Sequence, residues 1–399
     1  MPGPLHAVRV LDLTTVVMGP FATQILAELG ADVIKVETHD GDNMRHAGPM
    51  KSRDMGYMFL NLNRGKRSIV LDLKQSSARE VMLRLIERAD VLVYNVRPQA
   101  MARLGLGYDE VRAINPKIIY VGAYGYSQRG PYAAKAAYDD LIQGASGIPA
   151  LTLAQGADAP RYAPINLADR LTGLHAVYAV TAALFHRERS GEGQAIEVPM
   201  FESVAHFVLG DHTAGLTFEP AQGAPGYARL LSRRPYATRD GYLCVLVYND
   251  KQWRSFFEAI GRPEMTADPR YATQSSRAMH IAEIYSELSE LMKTRSTAEW
   301  MGLFEKADLP VSRMNSIDDL VSDVHLNASG FFEQEHHPSE GTLRVMRTPT
   351  SWSQSEPGAR RPPPRLGEHS AEVLREMGYS ETQIRELAST RATMLGEQT

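Results

Sequence analysis

Apolar residues along the first third of the chain alternate between two spacings, and the alternation predicts the elements. Val8, Val10, Leu11 and Leu13 form a short run that stops before Gly19-Pro20, and Phe21, Ala22, Ile25, Leu26 and Leu29 then recur at helical spacing up to Gly30. A second apolar run, Val33, Ile34 and Val36, follows at once, which makes a strand, crossover helix and parallel strand. Ala78, Val81, Met82, Leu85, Ile86 and Ala89 predict an amphipathic helix, and 91–94 and 118–121 read as buried strands. The first 200 residues are therefore expected to form an open, mostly parallel, Rossmann-like α/β layer. Ligands of such layers bind beyond the carboxyl ends of the strands.

The pattern weakens between about Ala205 and Pro235, then resumes with a strand-like 242–248 and three helical segments. The last of these opens with Ser296-x-x-Glu299, a capping box in which each side chain satisfies an orphan amide. Five prolines within 349–364 predict a stiff return segment, and Ser380-x-x-Gln383 opens a final helix. The expected division is a large domain from 1–204 and 335–399, with a smaller α+β domain over 205–334.

Composition narrows the function. The chain of 399 residues is 43% hydrophobic and 23% charged, ordinary for a globular protein that folds without staples. Its 43 Lys+Arg against 47 Asp+Glu argue against a delocalised nucleic-acid or membrane-surface role. Cys244 is the single cysteine and reads as an inert core thiol. With no basic and apolar leader in the opening residues and no apolar stretch of spanning length, the expectation is a soluble protein of a reducing cytoplasm. Asn327-Ala328-Ser329 matches a glycosylation sequon, read as chance in that compartment.

Familiar nucleotide and hydrolase signatures are missing. There is no G-x-G-x-x-G after Leu13, no P-loop, no H-E-x-x-H or paired Cys/His spacing, and no G-x-S-x-G elbow. No metal is expected. The informative segment is N-L-A-D-R-L-T-G-L at 166–174, which leads into an uninterrupted helix pattern through His186. Asp169 stands at its mouth, where amide hydrogen bonds and the positive end of the helix dipole favour an ionised carboxylate at neutral pH. From spacing alone the ordinary reading is a capping residue, because caps are common and nucleophilic carboxylates are rare.

Several blocks, taken in order, resemble the family III CoA-transferases, the group that includes formyl-CoA transferase and carnitine CoA-transferase. They are L-D-L-T-T-V-V-M-G-P-F-A-T-Q-I-L-A-E-L-G-A-D-V-I-K-V-E at 11–37, N-x-N-R-G-K-R-S-I-x-L-D-L-K at 61–74 and D-V-L-V-Y-N-V-R-P at 90–98. They continue with G-Y-S-Q-R-G-P-Y at 125–132, Y-D-D-L-I-Q-G-A-S-G at 138–147, the Asp169 block, R-E-R-S-G-E-G-Q at 187–194 and R-L-G-E-H-S at 365–370. The resemblance implies that Asp169 is the nucleophile, forming an aspartyl-CoA thioester as CoA passes from an acyl-CoA donor, succinyl-CoA being a common one, to a carboxylic acid. It implies no permanent cofactor, with CoA itself as substrate, and an interlocked homodimer.

By the same resemblance, CoA contacts fall on Val17, Met18, Leu71, Lys74, Asn95, Val96, Arg103, Leu104 and Lys135. Taken singly, Lys74, Arg103 and Lys135 are surface charges. The chain departs from the pattern at Thr38, where formyl-CoA transferase-like members carry Arg, and Arg45 is the candidate replacement. Related α-methylacyl-CoA racemases place a His base in the block that here reads A-Y-D-D. Tyr138 stands there instead and is a poor base at neutral pH. Asp139 reads equally as a site-orienting group and as a turn carboxylate. Arg229, Arg233 and Arg234 read as surface or interface charges, or as partners for a second substrate carboxylate. The rival functions are an isomerase acting at the α-carbon and a non-catalytic acyl-CoA binder.

Overall fold

The computed structural model describes residues 3–358 and 361–396. The described residues of Met1–Ile148, Tyr162–Phe207 and Asn327–Thr399 form one compact unit, and Pro149–Arg161 with Val208–Leu326 form a second.

The first unit is built on a seven-stranded sheet. Its strands are β1 (Arg9–Leu13), β2 (Asp32–Glu37), β3 (Lys66–Leu71), β4 (Val91–Tyr94), β5 (Ile119–Tyr124) and β6 (Gln194–Pro199). These six run parallel in the order β3-β2-β1-β4-β5-β6, and the short strand Thr393–Met394 adds antiparallel to the outer edge of β3. Val10 faces Val33 on one side and Val91 on the other, so β1 is the centre from which the chain winds both ways. That reversal between β1 and β4 leaves a crevice at the carboxyl ends of the strands, since successive crossovers there depart in opposite directions.

The helices follow the apolar spacing. Ala78, Val81, Met82, Leu85 and Ile86 are the buried face of Ser76–Glu87, packed with Leu11, Leu92 and Ile69 of the sheet. The 24-residue helix Leu167–Ser190 ends at Gly191, whose φ of 77° is the left-handed turn that glycine adopts without strain. The hairpin Phe332–His337 with Gly341–Met346 belongs to the same unit, and the His337 Nε2 sits 2.8 Å from the Pro363 carbonyl oxygen in the proline-rich return.

The second unit has a three-stranded antiparallel sheet, Tyr236–Ala237, Tyr242–Val245 and Val311–Arg313, covered by helices including Asp250–Ala259, Ile281–Met292 and Thr297–Lys306. Trp253, Phe256, Trp300 and Phe304 fill its core. The capping boxes at Ser296 and Ser380 are both formed, and Asn249 with Gln252 and Ser316 with Asp319 make two more. The strand around Tyr242 is shorter than the apolar run, because the chain leaves the sheet after Val245 and turns into the cap at Asn249.

Candidate active site

The turn after β1 is held from below by buried ions. Lys66 of β3 pairs with Asp12 of β1 at 2.9 Å, Lys35 of β2 pairs with Asp42 at 2.9 Å, and all four side chains are fully buried. Burial works against the Asp12 carboxylate, but Lys66, Lys35 and the Thr14 and Thr23 hydroxyls outweigh it and hold Asp12 far below the ordinary range. Lys35 Nζ also donates to the Thr14 carbonyl at 2.7 Å. Above this network Val16 takes a φ of 72°, a left-handed conformation that is strained for a β-branched residue. Its N–H donates to Asp42 Oδ1 at 3.1 Å, while Asn95 accepts from the Thr15 N–H and donates to the Thr15 carbonyl. The strained turn is thus fixed on both sides, and it places Val17 and Met18, both buried, at the start of helix Met18–Glu28.

Beside this turn lies a largely apolar crevice of about 230 Å³ at the carboxyl ends of β1, β2 and β3. Leu71, Lys74, Val96 and Leu104, four of the expected CoA contacts, line it together with Thr38. Lys74 is exposed, so its ammonium is available to an anion at the rim. Arg103 is exposed at the end of helix Pro98–Arg103, next to Leu104. Lys135 lies outside the lining, with its ammonium 3.5 Å from the Tyr132 ring centroid.

One expectation is corrected. Arg45 cannot stand in for the arginine missing at Thr38, because it is fully buried and committed elsewhere. Its Nε and Nη2 donate to the two Glu37 carboxylate oxygens at 2.8 and 2.7 Å, and its guanidinium lies 3.6 Å from the Phe59 ring centroid. A bidentate pair of this kind, desolvated on all sides, is a structural anchor for the end of β2.

Asp169 is the third residue of helix Leu167–Ser190, with Asn166 at the capping position. It is half-buried. Its backbone N–H donates to Asp139 Oδ1 at 2.9 Å, and the other Asp139 oxygen accepts from Gln143 Nε2 at 2.6 Å. Gln143 is fully buried, and its Oε1 accepts from the Ala163 N–H at 2.9 Å, which ties the chain entering the helix to Asp139–Ala145. Asp139 therefore reaches Asp169, while Tyr138, at 67% exposure, points to solvent. Gln143 carries no signature in the sequence, because a glutamine on a short helix reads as an ordinary exposed position.

The electrostatics of Asp169 differ from the expectation for a helix mouth. Burial first, and then the Asp139 carboxylate, push its carboxyl up to about 7, with Arg170 pulling only part of the way back. The dipole loses because desolvation and a like charge both oppose ionisation at close range. A turn further along, an added Cβ at Gly173 would stand 2.9 Å from both the Met18 carbonyl oxygen and Phe21 Cδ1. The bare glycine lets the Asp169 helix pack directly on the start of the first helix, and Arg170 lays its guanidinium 4.8 Å from the Phe21 ring centroid. The helix that carries Asp169 is thereby packed, through Gly173 and Arg170, on Met18 and Phe21 of the first helix.

Among the described residues, no His, Cys, Asp and Glu group could hold a metal ion, and no helix is long and apolar enough to cross a membrane. Comparison with known proteins gives matches over nearly the whole chain. The succinate–glutarate CoA-transferase of Agrobacterium fabrum is 35% identical over 94% of this chain and 96% of its own length. The formyl-CoA:oxalate CoA-transferase of Escherichia coli is 31% identical over 98% and 100%. A crystal structure of a CAIB/BAIF family protein from Brucella suis superposes with a TM-score of 0.80 at 31% identity, covering 94% of this chain and 100% of that one. The profile of CoA-transferase family III matches residues 5–370, and with relatives this similar over so much of its length the chain belongs to that family and is a CoA-transferase.

Proposed function

We propose that the enzyme transfers CoA through a covalent intermediate on Asp169, with the crevice beside the β1 turn receiving part of the CoA moiety. The observation that carries this is a carboxyl at the start of a helix, half-buried, raised to about 7 and fixed through its backbone by Asp139. A carboxylate of that basicity is a stronger nucleophile than an ordinary aspartate, yet about half of it is ionised at neutral pH.

In the first step the ionised Asp169 attacks the thioester carbonyl of the donor, and collapse of the tetrahedral adduct gives a mixed anhydride and CoA thiolate. The thiolate then attacks the aspartyl carbonyl of the anhydride, forming an aspartyl-CoA thioester and releasing the donor as its carboxylate. The acceptor carboxylate attacks this thioester, again leaving an anhydride and thiolate. Attack of the thiolate on the acceptor's acyl carbon gives the new acyl-CoA and regenerates Asp169. No net proton moves, and each thioester consumed is replaced by another, so no nucleotide is needed. Amide donors must meet the developing oxyanions.

The named activities of the relatives, succinate with glutarate and formyl-CoA with oxalate, support short dicarboxylic acids as the substrate class, and succinyl-CoA as the first donor to try. We propose further that two copies of the chain form an interlocked homodimer. Leu174, Tyr178 and Phe185 share one exposed face of helix Leu167–Ser190, an apolar stripe of the kind that a subunit contact covers. A reducing compartment fits the free Cys244. The direct test is Asp169→Asn: a folded variant with turnover lowered roughly a thousandfold or more supports the nucleophile, and unchanged turnover rejects it.

A further inference from the structure

The three arginines set apart in the sequence part company in the structure. Arg229, on the short helix Ala228–Leu231, is buried with its guanidinium 4.3 Å from the Tyr248 ring centroid; its Nε also lacks a hydrogen-bond partner, but it lines neither of the two crevices formed around Arg233 and Arg234. Arg233 and Arg234 instead line two crevices of the second unit, of about 610 Å³ and 570 Å³, and Tyr285 lines both as well. These volumes are typical of small-molecule sites.

The donors there are unmatched. Tyr285 stands on helix Ile281–Met292 at 5% exposure, yet its hydroxyl has no hydrogen-bond partner, and the Arg233 Nε is buried without one. Buried tyrosine hydroxyls and guanidinium groups are ordinarily satisfied, so each is a position where an acceptor is missing. Among the described residues, no carboxylate lies within ion-pair distance of Arg233 or Arg234, and neither crevice has an acidic residue in its lining. The wall of the larger crevice continues into Val245, Leu246, Pro310 and Val311, an apolar surface next to the cationic end.

We propose that this crevice is a binding site for an aliphatic carboxylate. Arg233 and Arg234 hold the carboxylate, the Tyr285 hydroxyl donates to it, and the hydrocarbon body lies on Val245, Leu246 and Val311. Guanidinium forks match the two oxygens of a carboxylate, and the apolar wall selects an acid with a carbon chain over inorganic phosphate. The carboxylate can come from a free aliphatic acid or from the far end of a dicarboxyl thioester. Asp169 has no part in this site.

Calorimetric titration of the full-length Asp169→Asn protein tests this without turnover, using hexanoate, glutarate, glutaryl-CoA, CoA and inorganic phosphate as probes. The expected result is saturable binding of at least one carboxylate, weakened about tenfold by Arg233→Gln and several-fold by Tyr285→Phe. Dependence shown by hexanoate and glutarate assigns the free acid, and dependence shown by glutaryl-CoA but not by CoA or the free acids assigns the distal carboxylate. Tyr285→Phe removes a single unpartnered oxygen and decides the matter if Arg233→Gln fails to fold. Carboxylate binding that is absent or indifferent to both substitutions, or phosphate binding tighter than any carboxylate at these residues, overturns the proposal. A failed titration leaves the Asp169 chemistry untouched, because that is read from turnover of the wild type.

Discussion

At the scale of single residues, the proposed chemistry turns on two carboxylates, Asp139 and Asp169, brought together from positions 30 apart in sequence. Asp139 contributes both a hydrogen bond to the Asp169 backbone and a charge that resists ionisation of its side chain. The rate should therefore rise with pH through about 7 as Asp169 ionises, seen as the ascending limb of kcat/KM. Asp139→Asn should move that limb to lower pH by roughly a unit, while an unmoved limb would mean that burial alone sets it. Stability follows from the same shift. Between the ordinary carboxyl value of 3.8 and about 7, the folded chain keeps a proton that the unfolded chain has lost, so the charge destabilises the fold most above pH 7. Asp169→Asn should accordingly be the more stable protein at about pH 8, on the order of 1–3 kcal/mol by denaturant titration, with the gain fading as pH falls toward 4. A variant less stable than wild type at both pH values would contradict this. Asp169 is legible as a candidate nucleophile only through its block and the resemblance it carries. The Asp139 contact and Gln143 are not, because a carboxylate and an amide on a short helix look alike whether they face solvent or one another.

Elements were legible where burial follows the pleat or the helical turn. The runs of β4 and β5 carry no charged residue because both faces of a parallel sheet are covered. Charged strand residues defeat that reading. Lys35, Lys66 and Asp12 look like polar positions, yet each is fully buried, because its partner arrives from a neighbouring strand or loop that local sequence does not reveal. Arg45 misled for the same reason: its Glu37 partner sits on another element, and a paired guanidinium is indistinguishable in sequence from a free one. Packing of helix Leu167–Ser190 gives a test at this scale. Gly173→Ala places a methyl group 2.9 Å from the Met18 carbonyl, so the two helices must part. We expect a loss of about 1–3 kcal/mol of stability and a lower kcat, measured by thermal unfolding and steady-state kinetics. Full activity with wild-type stability would show that the contact relaxes freely.

For the whole molecule, the parallel sheet with its reversal at β1 and β4 explains why the crevice beside the β1 turn lies at the strand ends, and the pairing of Thr393–Met394 with β3 explains how that returning segment joins the first unit. An interlocked dimer built on the exposed face of helix Leu167–Ser190 should not dissociate on dilution without unfolding. Sedimentation over a hundredfold range of concentration checks this, and a reversible monomer would exclude interlocking. The central claim remains covalent transfer at Asp169. The measurement that tests it most directly is intact-mass spectrometry of wild type and Asp169→Asn after incubation with succinyl-CoA and a panel of related thioesters, followed by peptide mapping of the trapped ester. The account predicts a CoA-bearing or trapped adduct on the Asp169 peptide of the wild type, absent from the variant. CoA exchange between acids with no adduct at Asp169, or an adduct at another residue, would contradict it.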